Sequence, residues 1–134
     1  MALLIDADLL IDLERNRGSA PLRSFPGEEE LAISVITVSE LLHGVYRAAG
    51  SVRSRRRAFV ERVLAEFEAI PITTVVARAH AEIWAELSSA GNLIGAHDLW
   101  IAATGLAYDL GIATRNVADF ERVHGLRVVT PPSA

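Results

Sequence analysis

The sequence predicts an α/β domain built around a mostly parallel sheet. Short apolar runs of strand length alternate along the chain with segments of helical period, the pattern that strand–helix units leave in sequence. The chain has 134 residues, 51% hydrophobic and 22% charged, which suits one folded domain with a buried core rather than a disordered chain. No internal repeat, low-complexity tract or linker divides it, so residues 1–134 are expected to form one domain.

Ala2 to Ile5 is an apolar run expected as a buried strand. Asp8 to Arg15 is expected as a helix, with Leu9, Leu10 and Leu13 at helical spacing, and Gly18 to Gly27 as a Pro/Gly/Ser loop. Leu31 to Val35 reads as the second strand, and a helix should run from about Val38 to Ala48. Ser54 to Glu68 is strongly amphipathic: Phe59, Val60, Val63, Leu64 and Phe67 make one apolar stripe, with arginines and glutamates opposite. A short strand at Ile70 to Thr73 precedes a helix at Val75 to Leu87, whose inward positions are Val76, Ile83, Trp84 and Leu87. Gly91 to Gly95 is a loop and Asp98 to Leu110 a largely apolar helix. Ile112 to Thr114 and Leu126 to Val129 complete the strands.

Charge and composition narrow the function. The formal net charge is −4 and the isoelectric point about 5.5, against the basic balance usual for a module that only grips phosphate backbone. An enzyme whose site must itself be acidic tolerates that balance. All 13 basic residues are arginine and there is no lysine. With no cysteine there is no disulfide framework, thiolate zinc site or cysteine nucleophile, which fits a reducing cytoplasm. The opening MALLIDADLLIDL is interrupted by Asp6, Asp8 and Asp12 and lacks a basic leader, so it is not read as a signal peptide. Apolar runs such as Leu99 to Tyr108 fall well short of the roughly 20 residues that span a bilayer, so no membrane association is expected.

In a parallel sheet the functional crevice lies beyond the carboxyl ends of the strands. Asp6 ends the first strand, Glu40 follows the second within a helical turn, and Asp119 lies just past Ile112 to Thr114. Asp98 can join them from its helix start. Each acid alone has a structural explanation. Asp6 or Asp8 could cap the first helix. Thr37-Val38-Ser39-Glu40 has the form of a capping box, with Thr37 as cap and Glu40 reaching back. Asp98 could serve the helix dipole, and Asn116 with Asp119 a short turn. All four falling on one edge by chance is harder to accept. Asp6 is the least comfortable: a buried carboxylate costs several kcal/mol unless something positive meets it, on the order of the penalty for a desolvated ion. A divalent cation would do so. Oxygen ligands without thiolate select magnesium or manganese, and such ions activate water and neutralise charge on a phosphodiester. Glu40 or Asp119 could orient that water as a base. The chemistry indicated is metal-assisted phosphodiester hydrolysis.

Four blocks, LLIDADLLIDL, ITVSELLHGV, IGAHDLWIAATGL and IATRNVADFERVHGLRVV, together resemble the PIN-domain family, in particular VapC-type toxins of bacterial toxin–antitoxin pairs. The resemblance covers nearly the whole chain in the family's order and spacing. It implies that Asp6, Glu40, Asp98 and Asp119 match the acidic quartet that holds Mg²⁺ or Mn²⁺. Asn116 matches the polar residue of the TRN block, and Thr114 sits beside it in a supporting position. It further implies a three-layer α/β/α fold, a homodimer, cleavage of structured RNA such as transfer RNA, and inhibition by a cognate antitoxin. The first block departs from the family's frequent Asp-Thr-Ser or Asp-Thr-Asn, reading Asp6-Ala7-Asp8, and Asp8 is expected to cap the helix rather than bind metal.

Rival readings each lack a part. Asp6-Ala7-Asp8 also looks like the first motif of haloacid-dehalogenase-type phosphatases, which, like receiver domains, normally need a lysine that this chain lacks. Glu40-x-x-His43 and Glu121-x-x-His124 repeat the spacing of di-iron bundles, but strands punctuate the chain and Gly125 follows His124 at once. His43 and His124 are expected at the surface, His80 in a core or interface, and His97 within reach of substrate. Arg53 and Arg55, Arg56 and Arg57 form a basic run that is either a solvated face or a set of phosphate contacts. The non-enzymatic alternative is a catalytically silent binding module with an acidic edge.

Overall fold

Strand β1 (Ala2–Ile5) occupies the centre of the sheet, and its sequence ALLI shows why: both of its faces must be apolar. Leu3 and Ile5 point into one core and Leu4 into another, as the two-residue period of a strand requires. The computed structural model describes residues 2–16 and 30–130, so the expected loop at Gly18 to Gly27 lies outside the described residues. Around β1 the elements follow as α1 (Ala7–Asn16), β2 (Glu30–Ser34), α2 (Val35–Arg47), α3 (Gly50–Glu66), β3 (Glu68–Ile70), α4 (Thr74–Ser89), α5 (Ala96–Ala107), β4 (Gly111–Ala113), α6 (Val117–Phe120) and β5 (Val128–Val129). The strand order is β3-β2-β1-β4-β5 and every pairing is parallel. Leu4 is in register with Ala32 on one side and Ile112 on the other.

Two helical layers cover the sheet. Leu9 and Leu10 of α1, Leu41 and Val45 of α2, and Phe59, Val60 and Val63 of α3 pack with Leu3 and Ile5, joined by Phe67 just past α3. Val76, Ile83 and Leu87 of α4 and Leu99, Ile101 and Ala102 of α5 pack with Leu4 and Ile112. This is the expected three-layer α/β/α arrangement with a parallel sheet. The stripe Phe59-Val60-Val63-Phe67 is buried as its spacing predicts, with Leu64 at its margin. The side chain of Leu13 lies outside the described set.

Local expectations are corrected at three places. The third strand covers Glu68–Ile70 instead of Ile70 to Thr73. The second helix begins at Val35, three residues early, and its cap is Ser34, whose hydroxyl accepts the Ile36 N–H at 3.0 Å. Thr37 therefore lies inside the helix, fully buried, and Glu40 does not close a capping box. The β-branched run Val35-Ile36-Thr37-Val38 imitates a strand, but the small polar Ser34 at the end of β2 turns the chain. Trp84 is 54% exposed rather than inward, because it lies beside the Val76–Ile83–Leu87 stripe and not on it.

Candidate active site

The parallel sheet delivers its side chains to one edge. Asp6 follows the last residue of β1, Thr114 follows the last of β4, and α2 leaves directly from β2. The Asp6 peptide N–H continues the sheet by donating to the Ala113 carbonyl at 2.9 Å, so the backbone that carries the carboxylate is fixed. Asp98 stands in the first turn of α5, and Asp119 in the single turn of α6.

Asp6 is 5% exposed. Its Oδ1 accepts the Ala7 N–H at 2.9 Å, and its Oδ2 accepts the Thr114 hydroxyl at 2.8 Å. Thr114 Oγ1 in turn accepts the Asn116 N–H at 2.9 Å. The Asn116 amide then donates through Nδ2 to Asp98 Oδ2 and to Asp119 Oδ2, both at 3.1 Å. One chain of neutral donors thus links three of the four acids. Asn116 does not cap α6 through its side chain, as a purely structural role would have had it. Glu40 faces His97, whose Nδ1 is 3.5 Å from its Oε2, while Glu40 Oε1 is buried without a hydrogen-bond partner among the described residues.

Burial and mutual repulsion dominate the electrostatics. Desolvation pushes the Asp6 carboxyl up to about 7, reinforced by the charges of Asp8 and Asp98 and opposed by the Thr114 hydrogen bond. Burial also raises Glu40, against the pull of His97 and with the push of Asp98. Asp98 is raised by burial, with the Asn116 hydrogen bond opposing and Asp119 adding to the rise. Asp8 does not cap α1, because the helix starts at Ala7 and Asp6 occupies the preceding position. Burial raises its carboxyl, opposed by the backbone N–H groups of Leu9 and Arg115 and by the Arg115 charge. An Arg115–Asp12 ion pair ties α1 to the loop after β4.

The donor set is all oxygen apart from the histidine beside it, which is the chemistry of a hard divalent cation. The partnerless Glu40 Oε1 is the kind of buried oxygen that such an ion satisfies. As they stand, no three acidic or histidine side chains among the described residues are gathered closely enough to coordinate one. The residues fit the ion by donor type and by the unpartnered Glu40 oxygen, not by their present spacing.

Clefts open beside the acids, two of them bordered by His97. One of about 320 Å³ is lined by Glu40, Gly95, Ala96, His97 and Asp98. Another of about 550 Å³ reaches from Asp8 and Ser39 past Glu40 to His43 and His97. His97 borders both and is largely exposed. His80 stacks on Trp100 with ring centroids 3.5 Å apart and meets Trp84 edge-on at 5.8 Å, a packing role away from the acids. His43 and His124 are exposed.

The arginine run divides. Arg53 donates to the Ala48 and Tyr46 carbonyls at 2.7 and 3.1 Å, and Arg56 donates to the Gly44 carbonyl at 3.2 Å. Both tie α3 to the carboxyl end of α2. Arg57 lies 5.4 Å from the Tyr46 ring and pairs with Glu61. Arg55 lines a cleft of about 580 Å³ with Arg15, Arg56, Phe59 and Arg62. Sequence reasoning missed Arg122. Its Nη2 stands 3.7 Å from Asp119 Oδ1 and its Nη1 donates to the Leu93 carbonyl at 3.0 Å. The three-residue spacing of Asp119 and Arg122 was the available signal for the first contact.

Comparison with known proteins agrees with this architecture. The family described as PIN domain matches residues 3–126. Ribonuclease VapC1 of Rickettsia felis is 37% identical over 134 residues, 99% of this chain and 98% of the relative. The tRNA(fMet)-specific endonuclease VapC of Salmonella typhimurium is 32% identical over 98 residues, 73% of each chain. Among solved structures, VapBC2 from Rickettsia felis bound to a DNA fragment from their promoter superposes with a TM-score of 0.85 at 22% identity, over 98% of this chain and 100% of that one. DNA-bound VapBC from Salmonella typhimurium gives a TM-score of 0.83 at 26% identity, over 97% and 98% respectively.

Proposed function

The chain belongs to the PIN-domain family, and from that premise we propose that it is the ribonuclease toxin of a VapBC-type pair, hydrolysing RNA with Asp6, Glu40, Asp98 and Asp119. The observation that carries the site is the single Asn116 amide held between Asp98 and Asp119, with its own N–H bound to the Thr114 hydroxyl that holds Asp6. Such an arrangement holds repelling carboxylates in one place, which a fold has no reason to do for stability alone.

The four acids would hold Mg²⁺ or Mn²⁺. When bound, the ion supplies charge neutralisation at the phosphodiester and a more acidic water. The chain's own residues do the rest. Asp6 is locked by two donors and gives the site a fixed point. Glu40 or Asp119 would orient the attacking water and take its proton. Asn116 and Thr114 keep their carboxylates turned inward. The phosphatase alternative has no lysine to draw on.

Transfer RNA or another structured RNA is the proposed substrate class, in keeping with the substrate that the Salmonella relative's name states. A cognate antitoxin is the proposed partner, since the solved neighbours are VapBC assemblies. We further propose a homodimer working in the cytoplasm. Among the described residues no helix is long and apolar enough to cross a membrane.

The test uses protein freed of any co-purifying partner, incubated with total cellular RNA in Mg²⁺, Mn²⁺ or EDTA beside Asp98→Asn. Discrete cleavage that requires the cation and disappears in the variant is expected. Two folded proteins that both leave RNA intact would favour the silent binding module instead.

A further inference from the structure

We infer that Arg122 is a positioning residue of the acidic site, fixing Asp119 relative to Asp98 from the side opposite Asn116. The inference rests on the proposed reading that these two carboxylates share a divalent cation.

Asp119 sits on α6, a helix of only four residues, Val117–Phe120, with no side-chain cap at its start. One turn is too short to hold itself in water, since helix nucleation is unfavourable. Burial of Phe120, fully enclosed, anchors one side of the turn. Arg122 adds a tie from its side chain. Its Nη1 donates to the Leu93 carbonyl at 3.0 Å, and its Nη2 faces Asp119 Oδ1 at 3.7 Å. Leu93 lies two residues before Gly95, the residue from which α5 starts, and Asp98 stands in the first turn of that helix. A single guanidinium therefore joins the backbone that launches Asp98 to the carboxylate of Asp119.

Asn116 connects the same two acids through their Oδ2 atoms. The two devices differ in what they can do. Asn116 is neutral and offers hydrogen bonds, whereas Arg122 also brings a positive charge to within 3.7 Å of Asp119 Oδ1. Its planar fork suits two acceptors at once, which a lysine head cannot reproduce at both. With both terminal nitrogens turned onto the protein, Arg122 is placed to shape the site rather than to grip RNA phosphate. Residues that orient metal-holding carboxylates in this way are worth roughly 10- to 100-fold in affinity or activity.

The test is a Mn²⁺ titration of RNA-free protein by calorimetry, with kcat and KM measured separately on one defined RNA and melting recorded alongside. Arg122→Ala is expected to weaken Mn²⁺ binding about 10- to 100-fold and to lower kcat at limiting Mn²⁺ while leaving the RNA KM unchanged. Arg122→Lys should recover part of the affinity. It also serves as the deciding variant if the alanine protein melts below the assay temperature. Unchanged or tighter Mn²⁺ binding in a folded variant overturns the inference. So does a raised RNA KM with Mn²⁺ affinity intact, which would make Arg122 a phosphate contact. Asp119→Asn separates the two levels: if it alters neither Mn²⁺ binding nor cleavage, the proposed quartet fails and not merely the role of the arginine.

Discussion

Thr114 donates its hydroxyl to Asp6 Oδ2 at 2.8 Å, joining the ends of two adjacent parallel strands across 108 positions of sequence. The same oxygen accepts the Asn116 N–H, so the hydroxyl is used in both directions and is fully buried. Thr114→Val keeps the shape but strands a carboxylate oxygen and a peptide N–H. A loss of about 1–3 kcal/mol in denaturant unfolding is expected, the usual cost of buried polar groups left unpaired. RNA cleavage should fall with it. Thr114→Ser restores both partners and should stay within about 1 kcal/mol of the parent. Equal stability for the valine and serine variants would mean that the hydroxyl does not hold Asp6.

Asp6 also makes stability depend on pH in a direction opposite to that of a salt-bridged aspartate. Its carboxyl is raised from 3.8 to about 7, so between those values the folded protein holds a proton that the unfolded chain has released. Stability therefore declines as pH rises through that window, by an amount on the order of a few kcal/mol. The raised Glu40 and Asp98 add slope of the same sign. In EDTA the melting temperature should fall between about pH 4 and pH 7. Asp6→Asn should flatten that decline and melt higher than the parent at pH 7.5. Adding Mg²⁺ at pH 7.5 should raise the parent's melting temperature more than the variant's. A parent whose melting temperature climbs across this window in EDTA would show that Asp6 is ionised at no cost.

The alternation of apolar runs and helical stripes made the layered architecture legible, because burial on both faces leaves β1 and β4 with no polar residue between Ala2 and Ile5 or Gly111 and Ala113. The parallel strands led to the expectation that Asp6, Glu40 and Asp119 share one edge, and the start of α5 brought Asp98 to it. What stayed hidden had two sources, competition between local signals and contacts distant in sequence. Ser34 ends β2 and caps α2, yet four β-branched residues after it carry the local signature of a strand. The Asn116 bridge spans 18 residues to Asp98, and the Arg122 bond to the Leu93 carbonyl spans 29. A backbone carbonyl has no letter in the sequence, so such a partner cannot be read from it. The same reason hid the fate of Arg53 and Arg56.

Those two arginines should separate from Arg55 by experiment. Arg53 and Arg56 donate to carbonyls near the carboxyl end of α2, where unpaired acceptors and the helix dipole both favour a cation. Arg53→Ala is expected to cost about 1 kcal/mol of stability and to leave RNA affinity and its salt dependence intact. Arg55→Ala should leave stability unchanged, weaken RNA binding and flatten the salt dependence, as loss of one phosphate contact does. Binding titrations at several salt concentrations give the comparison. If Arg55→Ala binds like the parent, the basic run is a solvated face.

Gly105 lies where α5 crosses β4 with no room for a side chain. A Cβ there would meet the Leu110 carbonyl oxygen and Leu126 Cδ1 at 2.9 Å and Ile112 Cδ1 at 3.0 Å. The Leu110 oxygen is backbone and cannot shift as cheaply as the end of a flexible side chain. Gly105→Ala should therefore destabilise by about 1–3 kcal/mol through overpacking, despite the better helix propensity of alanine. Since α5 also carries Asp98 in its first turn, Mn²⁺ affinity should fall in the same variant. Unfolding and Mn²⁺ binding that both match the parent would show that α5 can lift off β4 without cost.

His97 offers a test of how the acidic edge meets substrate. Its Nδ1 stands by Glu40, and its ring borders two clefts beside the acids while remaining largely exposed. A side chain so placed contributes little to packing, so His97→Ala should melt within about 0.5 kcal/mol of the parent, as surface substitutions do. If the ring touches RNA, KM for a defined RNA should rise several-fold. His97→Phe should restore part of it, because unpaired bases stack on aromatic rings of either kind. His97→Gln keeps a polar group but no ring and should not restore it. Cleavage by His97→Ala with kcat and KM both unchanged would remove His97 from the substrate path and leave it as a neighbour of Glu40 alone.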